Sequence, residues 1–387
     1  MNQDRMPRIV RLHLPENRRI LAISDVHGNL EYLQRLLEKV GFGEDDVLFL
    51  VGDMLEKGPR SLDLLHYVME LQHTRNVYPI CGNCEGLWQF MLAPDHRGHL
   101  KDYLLHRKNS LLNEMIETVA PPVTADSDME GLVQEVQRRF RMELEWLRTL
   151  PNMILTDHLL FVHAGVRPDV PLEQQDRFRV MDTKAFYEQE VSFSDRFCIV
   201  GHWPVVLYQH EGQNASPILD KKRKIYSIDG GNVLKRDGQL NCLVLNGESG
   251  ENASWVAYDD YPQIRLLDDQ QGSTENYNIT WSENIVDVLA QQDDVSRIRQ
   301  CSSGREMWVP TEYLYPEMLT VGTVLWHVED STDTKLCVQA GDQASLVCET
   351  SIGTIIKKDG ISGWYEGRYE RLPGEDRHLP GFWREKL

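Results

Sequence analysis

Apolar residues run unbroken from Ile20 to Ile23, meet the polar Ser24-Asp25, and reach a turn signal at Gly28-Asn29. A short apolar run closed by a turn predicts a buried strand over 20–27. From Asn29 to Val40 the period changes: Leu30, Leu33, Leu36, Leu37 and Val40 share one helical face, with Asn29 placed to cap and Gly41 to stop it. Val47 to Val51 repeats the strand pattern and runs into Gly52-Asp53. Pro59 then opens a second amphipathic helix carrying Leu62, Leu65, His66 and Met69. Val77 to Ile80 is a third short strand, ending in Cys81-Gly82-Asn83-Cys84-Glu85. This β-α-β-α-β alternation predicts a parallel sheet with crossover helices, in which ligands gather beyond the carboxyl ends of the strands. Asp25, His27, Asp53 and Asn83 all fall at such ends, and in extended backbone Asp25 and His27 leave the same face.

Residues 86–150 read differently. A helical stretch begins at Trp88, and His99 to Thr118 and Met129 to Leu150 predict two further helices around a polar, Pro-containing link. This is a helical insertion, either a cap over the strand ends or a set of packing helices on the sheet's flank. Strand patterns then resume. Asn152 to Thr156 and His158 to His163 pair through Asp157 and place His163 at a strand end; Phe197 to Val200 delivers Gly201-His202. Lys224 to Ile228 leads to Asp229-Gly230-Gly231, and Gln239 to Leu245 and Ser254 to Tyr258 close the layer. Lys221 to Lys224 is a basic run that reads as a solvated hairpin tip ahead of a phosphate-facing patch. The pattern places a first domain at 1–260, a linker and helix at 261–306 (the helix at Trp281 to Gln291), and a second domain at 307–387. There, VGTVLWHV, KLCVQA, SLVCET, GTIIKK and GWYEGRYERL predict a small β-barrel or β-sandwich without a catalytic constellation.

Composition narrows the function classes. The 387 residues are 41% hydrophobic and 26% charged, ordinary for a globular chain large enough for two domains. No apolar stretch approaches the roughly 18 residues of a spanning helix, so no membrane is expected, and the first residues lack the apolar region of a secretory signal. Seven scattered cysteines, an odd number, predict reduced thiols and a cytoplasmic setting. A formal net charge of −19 disfavours nucleic acid as a partner and requires a local positive centre for any anionic substrate. No oligomeric state follows from these patterns.

Collected from the strand ends, the candidate donors are Asp25, His27, Asp53, Asn83, His163 and His202. They mix nitrogen and oxygen without thiolate, a set suited to two divalent transition-metal ions, Mn first and Fe or Zn as alternatives, rather than to a structural zinc. Asp53, on the strand beside the first, is placed to bridge them, and two ions sharing a carboxylate clamp a phosphoryl group and activate water.

The pieces S-D-V-H-G-N (24–29), G-D-M-L-E-K-G-P (52–59), G-N-C-E (82–85), F-V-H-A-G-V-R-P (161–168) and G-H-W-P (201–204) together resemble the calcineurin-like metallophosphoesterase superfamily over about residues 18–260. Within it, the G-P after the second block, the single His of G-H-W-P and Ile228-Asp229-Gly230-Gly231 resemble the serine/threonine phosphoprotein phosphatases and the symmetrical dinucleoside tetraphosphatases. The resemblance implies an α/β fold, a β-sandwich flanked by helices in four layers (αββα). It also implies that Asp25, His27 and Asp53 hold one ion, and Asp53, Asn83, His163 and His202 the other. The expected partner is a phosphorylated substrate, protein or nucleotide, cleaved at a P–O bond.

Three departures qualify it. Lys57 stands where the family usually has a phosphate-binding Arg, supplying, with Asn83, substrate contact as a point charge rather than a fork. Glu56 stands where an Asp usually orients the general acid. Cys84 replaces the His of the usual G-N-H, leaving a thiol to protonate the leaving group, which favours diesters, anhydrides and aryl esters over alkyl monoesters. Cys81-x-x-Cys84 also invites a redox or zinc reading, but zinc needs a second pair that the spacing does not supply. The rival function class is a metal-binding scaffold acting through a partner; a nuclease is disfavoured by the acidic balance.

Overall fold

In the computed structural model, which describes residues 5–15, 17–208, 212–318 and 324–373, side chains along the first apolar run face alternate ways. Ile20 and Ala22 join Phe49, Phe161, Ile199, Tyr226 and Leu243 in one apolar cluster, whereas Leu21 and Ile23 join the helix residues Leu33, Leu36, Leu64 and Val68 in another. A strand apolar on both faces has to be covered on both, and that requirement builds the layers.

The first of two compact units comprises Met1–Val205, Pro217–Val233 and Gln239–Tyr258. Its strands are β1 (Ile9–Arg11), β2 (Arg19–Ile23), β3 (Val47–Leu50), β4 (Asn76–Pro79), β5 (Met153–Leu155), β6 (Leu159–Val162), β7 (Phe197–Val200), β8 (Ile218–Asp220), β9 (Ile225–Ser227), β10 (Leu240–Asn246) and β11 (Ala253–Tyr258). One sheet runs β11-β10-β2-β3-β4, the other β1-β5-β6-β7-β9-β8. β2, β3 and β4 are mutually parallel, as the alternation predicts. β5 and β6 form the expected antiparallel hairpin, and β6, β7 and β9 run parallel. The sheets meet face to face: the rings of Phe49 and Phe161 stack with centroids 3.8 Å apart. Helices α1 (Leu30–Val40), α2 (Ser61–Thr74), α3 (Asn83–Met91), α4 (Arg97–His106), α5 (Leu111–Glu117), α6 (Met129–Arg139), α7 (Arg141–Thr149) and α8 (Arg177–Met181) accompany them. Buried residues of these helices join the outward strand residues in the second cluster, giving the αββα sandwich. Residues 221–224 are a turn between β8 and β9, the hairpin tip that the sequence suggests.

The insertion departs from expectation in one respect: each long predicted helix is two shorter ones. The first ends at His106, where Arg107 turns extended (φ −120°, ψ 91°), and Ser110 (φ −141°, ψ 147°) caps the next by accepting a hydrogen bond from Asn113 N–H. Phe140 (φ −107°, ψ 34°) divides the other. Ser110→Ala is expected to cost about 1 kcal/mol in a denaturant titration, because the buried N–H of Asn113 loses its acceptor.

The second unit comprises Val206–Ser216, Leu234–Gly238 and Asp259–Leu387. It is all β. A six-stranded sheet includes Gln263–Leu266, Gln343–Thr350, Gly353–Lys358 and Ile361–Tyr365, the last pairing with Gln213–Asn214; a five-stranded antiparallel sheet spans Ile285 to Val328. Two small apolar clusters hold the unit, one around Val286, Ile298 and Val328 that also takes in Ile355 and Trp364 of the six-stranded sheet, the other around Ile264, Leu266, Ile356 and Tyr365. The helix expected at Trp281 to Gln291 is not formed. Trp281–Glu283 is a single 3-10 turn and Ile285–Gln291 a strand, because Ile285 exposed, Val286 buried and Asp287 exposed follow a period of two between two partner strands. KLCVQA (335–340) contributes isolated bridges rather than a strand. The first three residues of VGTVLWHV (321–323), and 374–387, lie outside the described residues. Among the described residues no helix is long and apolar enough to cross a membrane.

Candidate metal centre

The six candidate donors come together in the first unit, but not by the route their spacing suggests. Asp25 (φ 55°) and His27 (φ 50°) lie past the end of β2 in left-handed turns, so their convergence owes nothing to an extended backbone. Asp53 (φ 48°) and His202 (φ 69°) are left-handed as well. Non-glycine residues pay for this conformation and concentrate where function over-determines it. Two glycines allow the close approach: a methyl on Gly52 would overlap the His163 ring, and one on Gly201 would overlap Asp25 Oδ2.

Asp53 is central. Its Oδ1 lies 3.3 Å from His163 Nε2, and its Oδ2 lies 4.0 Å from His27 Nε2. Asp25 Oδ1 is 3.8 Å from the same His27 nitrogen, and Asp25 Oδ2 accepts from His202 N–H at 2.9 Å. Asn83, the first residue of α3, points one atom of its amide at His163 Nε2 (3.1 Å), His202 Nδ1 (2.9 Å) and Asp53 Oδ2 (3.3 Å). The imidazoles are held from behind: His163 Nδ1 faces Val51 O at 2.9 Å, His27 Nδ1 faces Leu55 O at 3.4 Å, and His202 Nε2 faces Asp182 Oδ1 at 3.4 Å. Outer partners of this kind fix the tautomer and turn the free nitrogen inward.

The donors fit cations. Asp53, His163 and His202 form one group whose ligand atoms lie within 4.8 Å of one another, and His27, Asp53 and Cys84 form a second. With the Asn83 oxygen turned inward, it meets only acceptors, and among the described residues buried Asp25 Oδ1 has no hydrogen-bond partner; a positive ion satisfies both. Burial drives His27 well below its usual range and His202 down to about 3, leaving both rings neutral, as ligation requires. Burial and the charge of Asp53 push Asp25 well up. Burial also raises Asp53, but His163, Lys57 and His27 outweigh it and hold that carboxyl low.

Lys57 and Cys84 sit at the same centre. Lys57 Nζ is 3.4 Å from His27 Nε2 and 3.7 Å from Asp53 Oδ2. Cys84 N–H donates to Asp53 Oδ1 at 2.8 Å and its thiol to Asp53 Oδ2 at 3.0 Å, while burial and Asp53 push the thiol well above its ordinary range. Cys81 faces the core and all seven cysteines are unpaired, so the C-x-x-C spacing forms no disulfide.

Glu56 is placed otherwise than expected. Its Oε2 accepts from Tyr103 O–H of α4 at 2.5 Å and its Oε1 from Leu111 N–H of α5 at 2.9 Å, and among the described residues no hydrogen bond joins it to Cys84. The carboxylate thus ties the turn that carries Lys57 to the helical insertion. Burial pushes Glu56 up to about 7 from an ordinary 4.5, against these hydrogen bonds. A raised carboxyl stabilises the fold fully below pH 4.5, and that contribution is lost as pH rises through about 7; it is worth about 3 kcal/mol at most. Wild-type protein is therefore expected to melt lower at pH 8 than at pH 5, with Glu56→Gln flattening the profile. Parallel profiles for the two proteins would contradict this.

Other residues of the site escaped sequence reasoning. Glu85 accepts from the N–H groups of Asp53 (2.8 Å), Met54 (2.7 Å), Leu55 (3.0 Å) and Gly82 (2.9 Å), building the loop that presents Asp53. Its signal was available in G-N-C-E. Asp182 behind His202 had none, since it lies in no recognisable pattern. Asp229 is wholly buried, with Oδ1 accepting from Gly231 N–H and its carboxyl driven well up by burial and by Asp25. Asn232 donates to Val26 O at 2.9 Å and steadies the Asp25–His27 turn.

Residues 18–236, more than half the chain, match the calcineurin-like phosphoesterase family. The chain belongs to that family. Among curated proteins, this phosphoesterase is similar to a symmetrical bis(5'-nucleosyl)-tetraphosphatase of Hamiltonella defensa, 31% identical over 149 residues, which is 38% of this chain and 44% of that protein. It is also similar to an asymmetrical bis(5'-nucleosyl)-tetraphosphatase of Halalkalibacterium halodurans, 30% identical over 157 residues, 38% of this chain and 57% of that protein. The chain spans about half the length of the curated relatives it matches. Among solved structures, a putative diadenosine tetraphosphatase aligns with a TM-score of 0.43 and 18% identity over 65% of this chain and 98% of that one.

Proposed function

We propose that this phosphoesterase is a dinuclear metal-dependent hydrolase of P–O bonds whose substrate is a nucleotide-type phosphoanhydride or diester, or a phosphoprotein. The observation that carries the reading is the buried Asp53 carboxylate, with one oxygen turned to His163 and the other to His27. Asp25, His27 and Asp53 are assigned to one ion, and Asp53, Asn83, His163 and His202 to the other. Bound there, two divalent ions supply Lewis acidity to the phosphoryl group and a nucleophilic water near neutral pH. Manganese suits the oxygen and nitrogen donors, with iron or zinc as alternatives.

The chain's own residues divide the remaining work. Lys57 brings a cationic Nζ to the donor cluster and meets a phosphoryl oxygen as a point charge. Asn83 Oδ1 would serve the ions, and its Nδ2, which donates to Cys84 Sγ at 3.7 Å, would turn to a substrate oxygen. Cys84 keeps its proton at neutral pH, being both buried and beside Asp53, so it is a weak acid. Weak acid assistance favours leaving groups that depart as stable anions, which is the character of phosphoanhydrides, diesters and aryl esters. Glu56, bonded to Tyr103 and Leu111, positions the Lys57 turn rather than the thiol. The similarity to symmetrical and asymmetrical bis(5'-nucleosyl)-tetraphosphatases supports the nucleotide anhydride first. Unpaired cysteines support a reducing, cytoplasmic compartment.

The test is manganese-loaded protein against an aryl monoester, an aryl diester, a dinucleoside tetraphosphate and a phosphopeptide. Turnover of the tetraphosphate and the aryl diester well above the phosphopeptide is the expected result. Two bound ions without turnover of any substrate would establish the scaffold in its place, a reading that the substitution of Cys84 for the usual His keeps open.

A further inference from the structure

A cleft of about 830 Å³ opens in the first unit among the chain leading into β1, α3, α7 and the start of α8, lined by none of the six donors. Three arginines line it, Arg8, Arg148 and Arg177, and no acidic residue does, in a chain with 60 acidic and 41 basic residues. Each guanidinium is held by a neutral partner. Arg8 Nη1 donates to Arg148 O at 2.8 Å, Arg177 Nη2 donates to Gln89 Oε1 at 2.9 Å, and the Arg148 guanidinium lies 5.4 Å from the centre of the Trp88 ring. Among the described residues neither Arg8 nor Arg177 has a carboxylate within 4 Å, and Arg148 has only Glu145 at 3.9 Å, two largely exposed groups on one helix. The nearby Arg5 and Arg11, by contrast, pair with Asp176 and Glu173 at 2.6 Å.

Two residues of the lining also bury donors without acceptors behind its surface. Trp88 is 5% exposed, yet its Nε1 has no hydrogen-bond partner among the described residues, and neither has the buried Nε of Arg177. Two arginines without a carboxylate partner and a third with only a distant, exposed one describe a ligand that is anionic and oxygen-rich, and phosphate oxygens have that character. Size sets the rest. The volume lies within the range of sites for drug-sized ligands, about 300–1,000 Å³, far beyond one phosphate. Leu92, Leu150 and the Gln137 amide line the remaining wall, an apolar and amide surface suited to a planar base rather than to more charge.

We propose that this cleft is a second, non-catalytic binding site for a nucleoside polyphosphate, with the phosphates on Arg8, Arg148 and Arg177 and the base against Leu92 and Leu150. The experiment is calorimetric titration of the full-length, manganese-loaded protein with the methylene analogue of ATP, which resists hydrolysis, and with tripolyphosphate. The expected result is a site that Arg148→Glu weakens at least tenfold while hydrolysis of an aryl phosphate stays at the wild-type rate, and that binds tripolyphosphate at least tenfold less tightly than the analogue. Arg148 is exposed, so the substitution is expected to fold; a thermal melt checks this, and Arg8→Glu, also exposed, gives the same reading independently. Absence of binding, or equal affinity in wild type and both variants, overturns the site. Equally tight tripolyphosphate overturns the nucleoside part and leaves a polyphosphate anion.

Discussion

Asp53→Asn is expected to lower turnover by about 10³-fold or more and to reduce bound metal below two ions per chain. The reason is geometric. Oδ1 of Asp53 belongs with His163 and Oδ2 with His27, so the two groups of donors have this one carboxylate in common. An amide keeps the size and one oxygen, and so preserves the hydrogen bond from Cys84 N–H, but replaces the other oxygen with an NH2 that cannot ligate. A Lewis-acidic ion contributes several kcal/mol to a transition state, and each 1.4 kcal/mol is a factor of ten in rate. Metal analysis and initial rates check the expectation, with circular dichroism to show the fold intact. Wild-type turnover with two bound ions would remove Asp53 from the centre and take the proposed mechanism with it.

Cys84→His is expected to raise hydrolysis of alkyl phosphomonoesters by about 10²-fold relative to an aryl diester. General acids contribute about 10²–10⁴ where the leaving group needs a proton, and little where it does not. In the native chain the residue at 84 is a thiol held against Asp53 Oδ2 at 3.0 Å, with burial and that carboxylate keeping its proton in place. An imidazole gives up a proton far more readily near pH 7. The ratio of the two kcat/KM values reads the effect and cancels changes in the amount of active enzyme. An unchanged ratio would show that residue 84 does not serve the leaving group. Glu56, engaged by Tyr103 and Leu111, is not expected to help the new imidazole, so the gain should fall short of the upper end of the range.

The two substitutions probe different links. Asp53→Asn tests whether the acceptors collected at the strand ends are a metal site at all, and Cys84→His tests which phosphoryl compounds that site prefers. The pH dependence at Glu56 addresses a third matter, the attachment of the helical insertion to the Lys57 turn.

Much of the centre was legible in the linear sequence. Period-two and period-3.6 patterns located β2, α1, β3 and β4, and the motifs beyond the strands named all six donors, because each donor follows an apolar run that must end at the same edge of a sheet. Elsewhere local pattern misled. Ile285–Gln291 fits a helix as a string of residues but becomes a strand because partners on both sides offer it hydrogen bonds, and propensity yields to such pairing. The predicted helix over His99 to Thr118 divides after His106 because the Ser110 hydroxyl caps a new helix and the Glu56 carboxylate takes up the adjoining Leu111 N–H.

What the sequence determined by itself was the chemistry available: six nitrogen and oxygen donors, a lysine and a thiol beside them, and an acidic chain in need of local positive charge. What only the tertiary structure decided was how those groups meet. Left-handed turns at Asp25, His27, Asp53 and His202 aim the side chains inward, Glu85 and Asp182 hold them from behind, and Glu56 turns towards the insertion instead of the thiol. The physical reason is that a strand's end is written in a few neighbouring residues, whereas a partner for a buried polar group comes from any part of the chain that packing brings within about 3 Å.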